Sequence, residues 1–129
     1  MSVSFFNFWL VALGGGIGSG LRYLGTAAAE RALPGSLVPA GTLAVNVLGS
    51  FAIGVVGGYV ASRGALAPGT RLFFLTGLLG GFTTYSAFAW ESVLLGLEGD
   101  WRRFALNVGA QLLLGIGAAA LGYAAGRAL

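Results

Sequence analysis

Four long apolar runs, each carrying at most one charged residue, constrain this chain more than any other feature. The hydrocarbon core of a bilayer is about 30 Å thick, and a helix crosses it in about 20 residues. The runs reach that length and cover residues 5–29, 37–61, 72–95 and 104–126. Short connectors rich in glycine, proline and charge separate them. We therefore predict an all-α membrane protein, a single domain over residues 1–129 with four transmembrane helices.

Composition narrows the class of protein further. Charged residues make up 9% of the 129 residues, whereas a soluble domain has about 25%. That excludes an ordinary soluble enzyme, a disordered segment and a nucleic-acid-binding module. The net charge of +3 comes from seven scattered arginines against four acids, and scattered charge does not predict a nucleic-acid partner. Cysteine and histidine are absent, which removes thiol nucleophiles, histidine bases and Cys/His metal sites.

The loop arginines bear on how the chain enters the membrane. No cationic segment precedes the first run and no small-residue cleavage site follows it, so we expect this run to be retained as a span. Four spans put both termini on one side, and arginine bias between loops sets orientation. A single orientation, fixed by lipid or by the first helix, remains an alternative to the dual-topology, antiparallel homodimer that balanced loops predict. The terminal face carries Arg63, Arg71 and Arg127, and the opposite face carries Arg31, Arg102 and Arg103.

Glycines inside the runs predict close helix packing. In lipid, small residues one turn apart let helix backbones approach each other, and Gly14 with Gly18, and Gly16 with Gly20, are such pairs. The run at 14–20 does not fit the GxGxxG pattern of dinucleotide-binding proteins in any register, and no strand precedes it. Packing is therefore the better interpretation.

Polar residues inside the runs need a partner or a wet cavity. Thr42 and Asn46 lie four apart, on one helical face; the Asn46 amide could hold an anion or make an interhelical hydrogen bond. Asn107 and Gln111 show the same spacing; they could continue a polar track beside the aromatic residues of the third run or bond across helices. Arg22 either extends to the interface or attracts anions at a pore mouth.

The third run contains a weak stretch for a helix. Two glycines and two β-branched threonines occur within residues 80–84, which predicts a break that frees backbone carbonyls at membrane depth. Carbonyls facing each other across a dimer suit a small hard cation. Beyond the break, Tyr85 and Phe88 share a face, where their positive ring edges could attract a small anion or simply pack. Glu91 is expected near an interface, with no chemistry assigned.

Three segments together resemble a known family. Residues 15–23 (GGIGSGLRY), 41–46 (GTLAVN) and 80–88 (GGFTTYSAF) are similar to the signatures of the first three helices of the CrcB/Fluc fluoride channels. The likeness covers nearly the whole chain, in the family's order and spacing.

The resemblance implies an antiparallel dimer of four-helix subunits with two fluoride pores, which passively exports cytoplasmic fluoride across the plasma (inner) membrane and so limits its toxicity. It implies a central structural Na⁺, not transported, held by the main-chain carbonyls of Gly80 and Thr83. By position, the pore asparagine corresponds to Asn46 and the two ring positions to Tyr85 and Phe88.

Two positions depart from the family pattern. The first ring position is usually phenylalanine, and Tyr85 stands there. In the fourth helix, a small hydroxyl residue is common where this chain has Gln111, whose longer amide could still coordinate an anion.

These residues suggest how a strongly hydrated anion would pass. The Asn46 amide, the ring edges and the hydroxyls of Thr42, Thr84 and Ser86 would replace its water in weak, successive steps, because one deep site would only trap it. Arg22 would draw anions to the vestibule. A small dual-topology multidrug/proton antiporter is the alternative, but it needs a titratable carboxylate within a span. A structural subunit without transport leaves the break unexplained.

Overall fold

The computed structural model describes residues 4–129, and every regular element in that range is helical. Two 28-residue helices lie near the ends of this range. Between them lie a 24-residue helix and a series of shorter elements over Pro68–Leu97, which we call the third segment. The elements are α1 (Phe5–Ala32), α2 (Ala40–Arg63), α3 (Pro68–Arg71), a π-helical segment (Leu72–Leu79), α4 (Gly80–Phe82), α5 (Tyr85–Leu97) and α6 (Trp101–Ala128).

Three of these stretches are long and apolar enough to cross a membrane: Ala40–Arg63, Pro68–Leu97 and Trp101–Ala128. They confirm the prediction of an all-helical membrane protein. The run predicted at 5–29 forms α1, which has the length of a span but lies outside that set. Arg22, Glu30 and Arg31 all lie on this helix, and each lowers its mean hydropathy.

The surface and the interior are arranged as expected in lipid. Large apolar side chains such as Leu113 and Ile116 on α6 are exposed. The buried side chains are few and mixed in character, with Val45 and Leu95 beside the polar Thr42, Ser92 and Asn107. Since lipid is as apolar as leucine, burial of apolar area does not drive these helices together. Close backbone packing and polar ties must do so.

Helix α1 packs against the third segment through glycines. A methyl group on Gly14 or Gly18 would overlap a backbone carbonyl of the π-helical segment, and one on Gly81 would overlap the carbonyl of Gly15. This confirms the packing role predicted for the Gly14–Gly18 pair. The same packing role predicted for Gly16 and Gly20 is not seen within residues 4–129, because a Cβ on either residue would meet no atom of another element within 4 Å. The two pairs point in different directions around α1, and within residues 4–129 only Gly14–Gly18 faces a neighbouring helix.

Helices α2 and α6 are packed equally closely, backbone against backbone. A Cβ on Gly54 or Gly58 would collide with a backbone carbonyl of α6, and one on Gly122 or Gly126 would collide with a carbonyl of α2. Each helix thus offers two glycines four residues apart, which brings the two backbones into direct contact along two turns.

The third segment loses its helical conformation at two residues. Thr83 has φ −90° and ψ 160°, and Thr84 has φ −151° and ψ 108°, both extended. Gly80, by contrast, is helical at φ −62° and ψ −38°. The extended residues are therefore the β-branched threonines, which suit extended backbone, while Gly81 serves the contact with α1. Thr84 then caps α5, because its side chain accepts a hydrogen bond from the N–H of Ala87 at 3.2 Å.

The α2–α6 contact predicts a large effect from a single methyl group. We expect Gly122→Ala to destabilise the fold by about 1–3 kcal/mol, because the methyl would overlap the carbonyl of Phe51 and force the helices apart. Gly117→Ala on the same helix is the matched control, since its Cβ would meet nothing within 4 Å. Thermal unfolding of both variants in detergent is the measurement, and equal stability would contradict the packing argument.

Candidate functional site

Asn46 pairs with both backbone groups of Thr84 at the start of α5. Its Oδ1 accepts from the N–H of Thr84 at 2.8 Å, and its Nδ2 donates to the carbonyl of Thr84 at 3.0 Å. The extended backbone at this point has left the helical ladder, so these two groups need another partner. One side-chain amide of α2 supplies the complementary acceptor and donor.

The same amide extends the network to α6. Asn46 Nδ2 also donates to Oε1 of Gln111 at 3.2 Å. The other end of that side chain, Nε2 of Gln111, is buried and has no hydrogen-bond partner within residues 4–129. A buried amide nitrogen without an acceptor costs free energy, so this atom is an unmet donor.

These residues line a groove of about 350 Å³, which we call the first groove. Tyr85 and Phe88 lie on its wall with ring centroids 5.6 Å apart and planes at 73°, an edge-to-face arrangement. Tyr85 is 78% exposed in the single chain. The lining residues used below are Asn46, Gly80, Thr83, Thr84, Tyr85, Phe88 and Gln111.

The carbonyls of Gly80 and Thr83, which the family resemblance assigns to a Na⁺ ion, lie where the helical part of the third segment ends. The N–H of Thr84, which would bond the carbonyl of Gly80 in a continuous helix, donates to Asn46 instead. The carbonyl of Thr83 accepts a hydrogen bond from the Arg22 guanidinium at 3.4 Å. The Arg22 guanidinium is therefore directed at the break.

A second groove, of about 660 Å³, lies on the other side of Thr84. Arg22, Ser86 and Glu91 line it together with Thr42. The hydroxyl of Thr42 donates to Oε1 of Glu91 at 2.5 Å, and Oε2 of Glu91 is buried without a partner among the described residues. A carboxylate and a guanidinium thus share the wall of this groove.

A further polar tie joins α5 to α6. Nδ2 of the fully buried Asn107 donates to the hydroxyl of Ser92 at 3.1 Å, and that hydroxyl donates to the carbonyl of Phe88 at 2.8 Å. Asn107 therefore holds the helical turn that carries Phe88. Of the two alternatives for Asn107, a polar track or a hydrogen bond across helices, the structure shows the hydrogen bond across helices.

The structure divides the predicted site residues between the two grooves. Six of them line the first groove, whereas Thr42, Ser86 and Arg22 line only the second, and Thr84 belongs to both. Thr42 and Asn46 share a helix face, but they face different grooves because the break inserts between them. Sequence reasoning passed over Glu91 and left Gln111 unassigned. Two features of the sequence could have indicated them. Glu91 is a carboxyl residue within an apolar run, and Gln111 is an amide residue four positions after Asn107.

Comparisons with known proteins agree with this architecture. A sequence family described as "CrcB-like protein, Camphor Resistance (CrcB)" matches residues 9–123. A curated relative from Nitratidesulfovibrio vulgaris, named fluoride-specific ion channel FluC, is 47% identical over 118 residues, 92% of this chain and 94% of the relative. Proteins of the same name from Roseiflexus sp. and Agrobacterium fabrum are 44% and 46% identical, each covering 95% of this chain and 98% of the relative.

The fold and the site define a small helical membrane protein whose glycine-packed helices leave two grooves that carry polar side chains. The chain belongs to the CrcB family. The resemblance carried by its first three runs is thereby confirmed.

The pairing of Asn46 with Thr84 predicts graded effects of substitution. Asn46→Ala leaves the Thr84 N–H and carbonyl without partners, and we expect a loss of about 1–3 kcal/mol together with fast hydrogen exchange at the Thr84 amide. Asn46→Asp keeps an acceptor for the Thr84 N–H, so that amide should stay protected. Amide exchange of both variants checks this, and slow exchange at Thr84 in the alanine variant would contradict the assignment.

Proposed function

We propose that this protein is a fluoride-specific ion channel. The observation that carries the proposal is the first groove, which is lined by the amides of Asn46 and Gln111 and by the edge-to-face pair Tyr85–Phe88. Membership of the CrcB family supports it, because relatives at 40–47% identity over most of the chain are named fluoride-specific ion channels.

The chemistry of the groove fits a small, strongly hydrated anion. Such an ion enters a narrow passage only where donors replace its water, and a series of weak sites lets it leave again. N–H groups, hydroxyls and positive aromatic edges are donors that carry no full charge. They can therefore hold fluoride successively without trapping it.

The direction of transport follows from the membrane potential. An inside-negative potential acts on an anion with about 2.3 kcal/mol per charge per 100 mV. Fluoride that enters the cell as neutral HF and dissociates inside would be driven out through an open pore without ATP. The protein would thus act as a passive exporter in the plasma membrane.

The working channel would be an antiparallel homodimer in which each subunit crosses the membrane four times, with α1 as the first span and the third span broken at Thr83–Thr84. The 28 residues of α1 are sufficient to cross a bilayer. Balanced arginines in the loops favour insertion in both orientations. The exposed Tyr85 and the open first groove would then be completed by the second copy.

A central Na⁺ would lie between the two breaks. The residues suit it, because the carbonyl of Gly80 has lost its usual helical partner to Asn46 and carbonyl oxygens are preferred by hard cations. Two carbonyls from one chain are too few for such an ion, so both copies would have to contribute Gly80 and Thr83. The ion would supply positive charge that ties the two breaks together, with no part in transport.

The second groove would serve as the vestibule. Arg22 supplies a positive charge beside Thr42, Thr84 and Ser86, whose hydroxyls can donate to an anion. Its hydrogen bond to the carbonyl of Thr83 would hold that charge next to the break, between the aqueous entrance and the first groove.

Flux through liposomes tests the function. We expect the purified protein to dissipate a fluoride gradient and to leave a chloride gradient of equal size intact, because chloride is a weaker hydrogen-bond acceptor and neutral donors replace its water less effectively. Ion-selective electrodes measure both gradients, with protein-free liposomes as the control. Equal flux of the two halides would refute the selectivity, and no fluoride flux would refute the channel.

Topology is tested with introduced cysteines, since the chain has none of its own. Ala65→Cys and Glu98→Cys place a single thiol in loops at opposite faces. In the antiparallel dimer, a membrane-impermeant thiol reagent applied outside should label about half of the copies at each position. Complete labelling at one position and none at the other would show a single orientation.

A further inference from the structure

We infer that the hydroxyl of Ser50 is a further anion-contacting group of the first groove, and that Gly115 leaves the space that the anion needs to reach it. The inference rests on the proposed channel function and deepens it, since it names a donor on α2 one helical turn beyond Asn46. It is carried by a hydroxyl without a partner, by its place in the first groove and by the open space in front of it.

Ser50 continues the polar face of α2. It follows Asn46 by four residues, about one helical turn, and both residues line the first groove. Thr42, one turn before Asn46, lines the second groove instead. The large apolar side chains of the first groove are Ile53, Leu75, Leu79, Phe88 and Leu112. Ser50 is therefore one of the few polar groups that an ion in this groove can meet.

The hydroxyl of Ser50 makes no hydrogen bond within residues 4–129. A serine inside a helix often donates to the carbonyl four residues before it, and Ser62 on the same helix does so to Gly58 at 3.2 Å. Ser50 is half-buried, and its oxygen, unlike Nε2 of Gln111, is not enclosed by protein atoms. Its proton is therefore both uncommitted and accessible.

Other polar groups of the first groove are committed to bonds within the chain. The hydroxyl of Thr83 donates to the carbonyl of Leu79 at 3.1 Å, and both amide hydrogens of Asn46 have acceptors on neighbouring elements. An anion that takes one of these donors must replace an existing hydrogen bond, which costs free energy. Ser50 can donate to an anion without breaking any bond of the protein.

Gly115 on α6 keeps the space in front of Ser50 open. A Cβ at this position would meet a single atom within 4 Å, Oγ of Ser50 at 3.8 Å. About two turns further along α6, a Cβ on Gly122 would overlap the backbone carbonyl of Phe51. The gap between α2 and α6 therefore widens from Gly122 towards Gly115, and Ser50 lies where it is wide.

The surroundings make this hydroxyl a weak site for an anion. Among the described residues, no charged side chain lines the first groove, so no carboxylate repels an anion there and no arginine holds it permanently. A hydrogen bond to an ion is about twice as strong as one between neutral groups, yet a single hydroxyl does not trap the ion. Ser50 and Asn46, about 6 Å apart along the helix axis, would thus be successive weak sites of the kind that conduction requires.

Removal of the hydroxyl tests the inference. Ser50→Ala deletes the donor with little change in volume, and we expect fluoride flux through liposomes to fall by about tenfold, because the ion loses one hydrogen bond. Ser50→Thr keeps a hydroxyl and should keep most of the flux. Ser62→Ala is the matched control, the same change on the same helix at a hydroxyl that is bonded to Gly58 and lines neither groove. Its flux should equal that of the original protein.

Filling the space tests the role of Gly115. Gly115→Ala brings a methyl group into ordinary van der Waals contact with Oγ of Ser50, so we expect a folded protein with fluoride flux reduced several-fold. Gly117→Ala is the matched control on the same helix, because its methyl group would meet nothing within 4 Å. Full flux in Gly115→Ala would show that the anion does not pass in front of Ser50.

Thermal unfolding in detergent separates a role in conduction from a role in folding. The Ser50 hydroxyl has no partner in the described chain, so Ser50→Ala should unfold at the temperature of the original protein while its flux falls. Marked destabilisation, full flux in this variant, or an equal loss of flux in Ser50→Ala and Ser50→Thr would each overturn the inference. Failure of the original protein to conduct fluoride at all would instead refute the proposed function.

Discussion

The structure depends on the side-chain amide of Asn46, which supplies hydrogen bonds to the backbone where the third segment leaves the helical conformation. At Thr83 and Thr84 the third segment becomes extended, and an interrupted helix at membrane depth is tolerated only if its freed backbone groups find partners. Asn46 gives Thr84 an acceptor and a donor from the same amide. The position of α5, the separation of the two grooves and the freed carbonyl of Gly80 all follow from this pairing.

The rest of the bundle is held by contacts that do not require the hydrophobic effect. Helices α2 and α6, and α1 with the third segment, meet backbone to backbone because glycines occupy both sides of each contact. Helix α5 has no glycine contact of this kind. It is held by polar ties, from Thr42 to Glu91, from Asn46 to Thr84 and from Asn107 to Ser92. The half of the third segment that carries the aromatic pair is therefore also the half whose position depends on hydrogen bonds.

Particular residues show how far sequence reasoning reached. Apolar length predicted the helices, and one-turn spacing predicted the packing of Gly14 with Gly18 and the shared face of Thr42 and Asn46. Spacing could not separate Gly16 and Gly20, which face no other helix in the described part of the chain, from Gly14 and Gly18. It could not show that a shared helix face opens onto two grooves. The sequence left the role of Gln111 open and gave Glu91 no chemistry, because both carry unpaired buried atoms and pairing is a property of three-dimensional neighbours.

Sequence alone determined that this is a helical membrane protein whose helices pack through glycine, and it predicted a break within residues 80–84. These properties follow from hydropathy, side-chain size and backbone preference, which are local and additive along the chain. Only the tertiary structure decided which polar atom pairs with which. Hydrogen bonds have direction, so the N–H of Thr84 orients Asn46 and Asn46 orients Gln111, across three helices of the bundle.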